Sequence, residues 1–115
     1  MLTEKDYCDY DTCVALKELG YPEHEILTYD FELLLYEAQK WLREEKGVIV
    51  EPTFAYMDEK WDKYYSVQIV TDLRFDDESY TYECDTMTLG EFKGYENALS
   101  KGIKEAVKIL KEEVR

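Results

Sequence analysis

Residues 64–73 carry the best period-two signal in the chain: Tyr65, Val67, Ile69, Thr71 and Leu73 alternate with Tyr64, Ser66, Gln68 and Asp72. Successive side chains of a strand point to opposite faces, so this period of two predicts a β-strand with one buried side. A lone strand or hairpin is marginal in water. The rest of the chain must therefore supply partner strands and an apolar cover.

Both are legible. Val48–Met57 is rich in β-branched and aromatic residues and reads as a second strand. Pro52 lies inside it, and a proline cannot donate to a ladder, so this strand is expected at an edge or with a bulge. The polar run Asp58-Glu59-Lys60-Trp61-Asp62 reads as the turn into the central strand. Beyond Arg74-Phe75-Asp76-Asp77-Glu78-Ser79, a third strand is expected to put Tyr80, Tyr82 and Cys84 on one face. Thr81, Glu83 and Asp85 fall on the other.

The helical period flanks these strands. Asp11 is the expected N-cap of a short first helix with Cys13, Leu16 and Leu19 on one stripe and Gly20 as its stop. A second helix is expected from near Asp30, with Leu34, Ala38, Trp41 and Leu42 facing inward and Gly47 ending it. The last begins near Gly94 or Tyr95 and runs to about Glu113. Leu99, Gly102, Ile103, Ala106, Val107 and Leu110 form its apolar stripe, and Lys101, Lys104, Lys108 and Lys111 lie opposite. Glycine costs about 1 kcal/mol relative to alanine inside a helix, so Gly102 on the apolar stripe implies close approach to the sheet. The expected fold is α+β in the order α-α-β-β-β-α, a single domain over residues 1–115. Helices cover one face of a three-stranded antiparallel sheet. The other face is left open, a place for a partner or a second copy of the chain.

Charge then limits function. The chain holds 27 Asp and Glu against 14 Lys and Arg, a formal net charge of −13, yet it is 45% apolar. That apolar content argues for a folded core rather than an acidic disordered segment. A field this negative opposes phosphate backbones and anionic lipid and favours basic partners, so neither nucleic acid nor membrane is an expected partner. Residues 1–90 carry 22 acids and 8 bases, while residues 91–115 carry 5 and 6, so the acidity sits on the N-terminal and strand side. No stretch reaches the roughly 20 apolar residues of a membrane span, and the N-terminus lacks the pattern of a signal peptide. With an odd number of cysteines, these features point to a reducing, cytoplasmic setting.

Candidate chemistry is sparse. Cys8, Cys13, Cys84 and His24 lack the paired spacing of a structural zinc site, and read as core or strand cysteines and a surface histidine. His24 is flanked by Glu23 and Glu25 and has no nucleophile motif nearby. Asp72, Asp76, Asp77, Glu78, Glu83 and Asp85 form the densest acidic group, without the ligand spacing or fixed glycine of a calcium loop. The expectation is no catalytic residue, cofactor or metal.

Two stretches together carry a resemblance. Leu35-Tyr36-Glu37-Ala38-Gln39-Lys40-Trp41-Leu42-Arg43-Glu44 precedes a glycine and a β-branched strand. Tyr95-Glu96-Asn97-Ala98-Leu99-Ser100-Lys101-Gly102-Ile103-Lys104-Glu105-Ala106-Val107-Lys108-Ile109-Leu110 follows in the same order and spacing. In this the chain resembles a group of small, uncharacterised proteins of phages and prophages of gut bacteria. The resemblance implies a bacterial cytoplasmic context and carries no site residues. Helix, three strands and helix is also the order of the double-stranded-RNA-binding domain. That family has a lysine-rich start to its last helix, where this chain has Gly94-Tyr95-Glu96-Asn97. Glu96-Asn97-Ala98-Leu99 resembles the helix start of some antitoxins.

The leading expectation is a non-enzymatic, phage-associated acidic domain that contacts another protein. Asp72, Asp76, Asp77, Glu78, Tyr64 and Gln68 are the candidate contacts. An acidic inhibitor, mimicking nucleic acid or neutralising a basic toxin or host enzyme, is the alternative. A small carboxylate-using enzyme is the third, and it requires a deep pocket with carboxyls of raised pKa. A homodimer through the open face is expected if that face carries exposed Tyr and Met side chains.

Overall fold

The computed structural model describes residues 6–22 and 33–113. His24 and the expected start of the second helix at Asp30 lie outside them. The elements are α1 (Tyr10–Glu18), α2 (Leu35–Glu45), β1 (Ile49–Met57), β2 (Lys63–Asp76), β3 (Thr81–Lys93) and α3 (Tyr95–Glu113), the α+β order expected. The strands form one antiparallel sheet in the order β1-β2-β3, which makes the alternating segment the central strand.

Register explains both faces. Val50 pairs with Ile69 and Pro52 with Val67, while Val67 also pairs with Leu89 and Ile69 with Met87. Val50, Val67 and Ile69 are fully buried on this side, under α3. Pro52 sits on edge strand β1, and the register of β1 also slips between Phe54 and Tyr56, so the proline's strand is at once an edge and bulged.

Helix α3 crosses all three strands. Its approach is set by Gly102: a Cβ there would fall 2.6 Å from Val50 Cγ1 and 2.6 Å from Val67 Cγ2. Helix α2 packs on β1 and α3, and α1 packs on α3. Leu16, Leu42 and Ile103 join the strand residues in one buried cluster.

Two helix starts differ from expectation. The N-cap of α1 is Asp9, whose Oδ1 accepts from Thr12 N–H at 2.9 Å, and Asp11 lies in the first turn. Cys8 N–H donates to Leu33 O at 2.8 Å, holding the preceding segment extended and bringing Asp9 to the cap position. The same tie sets α2. Leu34 forms an antiparallel bridge with Tyr7, so Leu33 and Leu34 are not helical and α2 begins at Leu35. Here a tertiary backbone pairing outweighs a helical pattern. The stop at Gly20 is as expected: with φ +110°, Gly20 N–H donates to Lys17 O and Tyr21 N–H to Leu16 O.

Helix α1 also changes the meaning of the lysine row on α3. Lys104 pairs with Asp9 at 2.6 Å and Lys111 with Glu18 at 2.5 Å. Burial alone would raise the Asp9 carboxyl, but hydrogen bonds from Lys104 and Thr12 outweigh it and hold its pKa at about 2, below the ordinary 3.8. A depressed carboxyl contributes stability that is fully present above its unfolded pKa and is lost as pH falls through the folded value. Asp9→Asn keeps a capping oxygen and removes the charge. It is expected to flatten the decline in stability between about pH 4 and about pH 2 relative to wild type. Asp9→Ala removes the cap as well and is expected to cost about 1 kcal/mol at neutral pH. Urea midpoints measured across that range check both.

Candidate functional site

Strand β1 ends its pairing at Ile49 opposite Val70, but β2 and β3 continue as a two-stranded arm from Thr71 and Asp85 to the turn at Asp77–Tyr80. At about 3.3 Å per residue, the six residues from Thr71 to Asp76 carry the arm about 20 Å past the end of β1. The pairing shifts between Thr71 and Arg74, where Asp72 takes φ +51°, so a bulge marks the base of the arm.

The two faces of the arm differ. Past the bulge, Phe75 pairs with Tyr82 and Arg74 with Glu83. Alternation along β3 from Met87, on the helix side, puts Asp85, Glu83 and Thr81 on that side and Thr86, Cys84 and Tyr82 on the open side. Arg74 and Glu83 form an ion pair at 3.4 Å on the helix side. The open side presents Leu73, Phe75 and Tyr82 with exposures of 49%, 60% and 71%, and Tyr80 at the tip is 84% exposed. Residues 72–85 hold six acids and one base. An apolar group of this kind ringed by charge has the anatomy of an interface anchor with a polar rim.

The tip is ordered by its own side chains. Asp76 Oδ1 accepts from Glu78 N–H at 3.0 Å and Asp76 Oδ2 from Ser79 Oγ–H at 2.9 Å, and Ser79 Oγ lies 2.6 Å from Thr81 Oγ1. The Ser79 hydroxyl and then the Glu78 amide hold the Asp76 carboxyl below its usual range, so it stays ionised. The turn thus fixes how Phe75 and Tyr82 face each other.

The sequence-chosen contacts occupy two places. Asp72, Asp76, Asp77 and Glu78 are on the arm; Tyr64 and Gln68 are on the open face of the body. Tyr64 stacks on Tyr56 at 4.9 Å and 12°, at the far end of β2. Eight residues of strand put Tyr64 about 26 Å from Asp72, so the six do not form one site. Between them the open face carries Thr53, Ser66, Gln68 and Thr88, and then the apolar pair Ile49–Val70 beside Thr86. Exposed Met57 and Met87 belong to the helix side by register, so the open face carries Tyr without Met. Leu73, Phe75 and Tyr82 were not singled out by charge or motif reading. Their signal was apolar residues recurring within an acidic segment, where a solvated loop needs none. Strict alternation places Leu73 with Val67 and Ile69 on the buried face, and the bulge at Asp72 turns it to the open one.

A cleft of about 870 Å³ lies at the opposite end of the sheet, between the β1–β2 turn and the start of α3, with Tyr7, Trp61, Tyr65 and Tyr95 in its walls. Two of its three carboxylates are held in ion pairs, Asp62 with Lys93 at 3.1 Å and Asp9 with Lys104, and the third is Glu96. A second hollow, about 510 Å³, is the groove between α1 and α3. Asp72, Asp76 and Asp77 line neither. Among the described residues, no three His, Cys, Asp or Glu side chains converge as a metal would require. Cys8, just before α1, and Cys13, within it, are both buried, and a hydrogen bond with Cys13, together with burial, pushes the Cys8 thiol well up, so it stays protonated. Cys84 lies on the other side of the sheet. Among the described residues, no helix is long and apolar enough to cross a membrane. No protein-family model, curated protein or solved structure matches the chain.

Proposed function

We propose that this chain is a non-enzymatic, acidic interaction domain that docks on a basic protein through its β2–β3 arm. The observation that carries this reading is the exposure of Leu73, Phe75 and Tyr82 on one face of an arm with six acids and one base. The carboxylates steer a basic partner and the apolar side chains retain it. The resemblance to phage and prophage proteins supports a bacterial cytoplasmic setting and a partner from the host or a rival element. Where that partner is a nucleic-acid-binding enzyme or a toxin, docking makes the domain its inhibitor.

The test is capture from a bacterial lysate with wild type and with the double variant Phe75→Ser/Tyr82→Ser. Washes at about 0.15 M and about 0.5 M salt separate screened attraction from apolar contact. A basic protein held by wild type at the higher salt and lost by the variant is the expected result. Identical capture by both would contradict the arm as the docking surface.

A further inference from the structure

The two edges of the sheet are not equivalent. The β1 edge is blocked twice: Pro52 has no N–H to offer, and Gln39 of α2 donates from Nε2 to Val50 O at 2.6 Å. No strand among the described residues pairs with the outer edge of β3, which runs for 13 residues. The register slip opposite Tyr65 and Val67 falls at Gly90 and Glu91 and disrupts the last part of β3. The regular edge is therefore Thr81–Leu89, half of it on the arm.

We infer that this β3 edge accepts an extended segment of the basic partner as a fourth strand, with basic residues alternating with apolar ones. The inference rests on the proposed docking role of the arm and adds the mode and the sequence pattern. Main-chain hydrogen bonds supply affinity in such strand addition, and alternate side chains supply specificity. On the helix side an added strand runs beside Glu83 and Asp85, which call for Lys or Arg. On the open side it runs beside Tyr82 and Cys84, next to Phe75, which call for Val, Ile or Leu. The same charges disfavour a second copy of this chain in the registers that overlap the regular edge best, because antiparallel strands centred on Cys84 or Asp85 set Glu83 against Asp85 or Asp85 against itself.

The probe is a synthetic octapeptide of alternating lysine and valine. Its control has the same sequence with alternate backbone amides N-methylated, leaving charge and side chains intact while removing one edge of donors. Binding is read by fluorescence anisotropy of the labelled peptides, and the strand by amide hydrogen exchange of the full chain.

The expected result is at least tenfold weaker binding of the methylated peptide, with at least tenfold slower exchange of amides within Thr81–Leu89 on adding the unmodified one. Equal binding of both peptides, or no binding of either, overturns the inference. Equal binding that is lost on Phe75→Ser/Tyr82→Ser overturns strand addition alone and leaves the docking arm standing. Methylation-sensitive binding unaffected by that double variant upholds the edge and contradicts the apolar face. Slowed exchange that grows with protein concentration without peptide means self-pairing, and overturns the basic partner.

Discussion

Gly102→Ala is expected to destabilise the domain even though alanine is the better helix former. The substitution gains about 1 kcal/mol of helix propensity. Against that, the new methyl group would sit 2.6 Å from a γ-carbon of Val50 and another of Val67, both at the centre of the buried sheet face. Overpacking of this kind costs about 1–3 kcal/mol and rises steeply with side-chain size. The steric cost prevails at so short a distance because neither valine can move without shifting its strand. We expect a net loss of roughly 1–2 kcal/mol, or a melting temperature lower by about 4–12 °C. Gly102→Leu is expected to prevent folding. Gly102→Ala combined with Val67→Ala should recover part of the steric loss, which separates it from a helix effect. A Gly102→Ala protein as stable as wild type in urea would contradict the packing.

The second large effect concerns the arm. Leu73, Phe75 and Tyr82 make little of the core, so Phe75→Ser/Tyr82→Ser is expected to change stability by less than about 1 kcal/mol. Its effect on partner binding is expected to reach roughly 2–4 kcal/mol, a loss of about 30-fold to 1,000-fold, because aromatic anchors dominate interfaces of this kind. Asp76→Asn/Asp77→Asn/Glu78→Gln should act differently. Rim charges govern encounter, so the triple variant should slow association and reduce its salt dependence while leaving dissociation nearly unchanged. Stopped-flow association and surface-plasmon dissociation, once a partner is captured, distinguish the two. A double variant that binds as tightly as wild type would remove the arm from the interface.

The sheet was legible because its signals are local. Alternation through residues 64–73 identifies the central strand, Pro52 assigns β1 to an edge, and Gly102 on an apolar stripe anticipates the close approach of α3. The two misplaced helix starts share a long-range cause. The Tyr7–Leu34 bridge and the Cys8–Leu33 hydrogen bond join segments 25 or more residues apart, and no local pattern at Asp11 or Leu34 encodes that pairing. The lysine row on α3 shows the same limit. Its spacing is that of a continuous ridge, and only the docking of α1 ties Lys104 to Asp9 and Lys111 to Glu18.

The candidate site was half legible. Charge singled out Asp72, Asp76, Asp77 and Glu78, which do lie together on the arm. Charge also drew attention away from the aromatic residues between them, because an acidic run reads as a solvated loop. Sequence placed the start of β1 to within a residue but ended the central strand at Leu73 and read residues 74–79 as the connection. Strand β2 runs on to Asp76, paired with Thr81, and that extension beyond the Ile49–Val70 pair is what leaves Phe75 and Tyr82 outside the three-stranded body.

The most direct measurement of the docking arm is site-specific photocrosslinking in the bacterial cell. A photoreactive amino acid is placed at Tyr82 on the arm, at Gln68 on the open face, or at Lys108 on the exposed side of α3. A discrete adduct with one basic protein is expected from position 82 and none from position 108. Adducts from position 108 or 68, with none from 82, would contradict it.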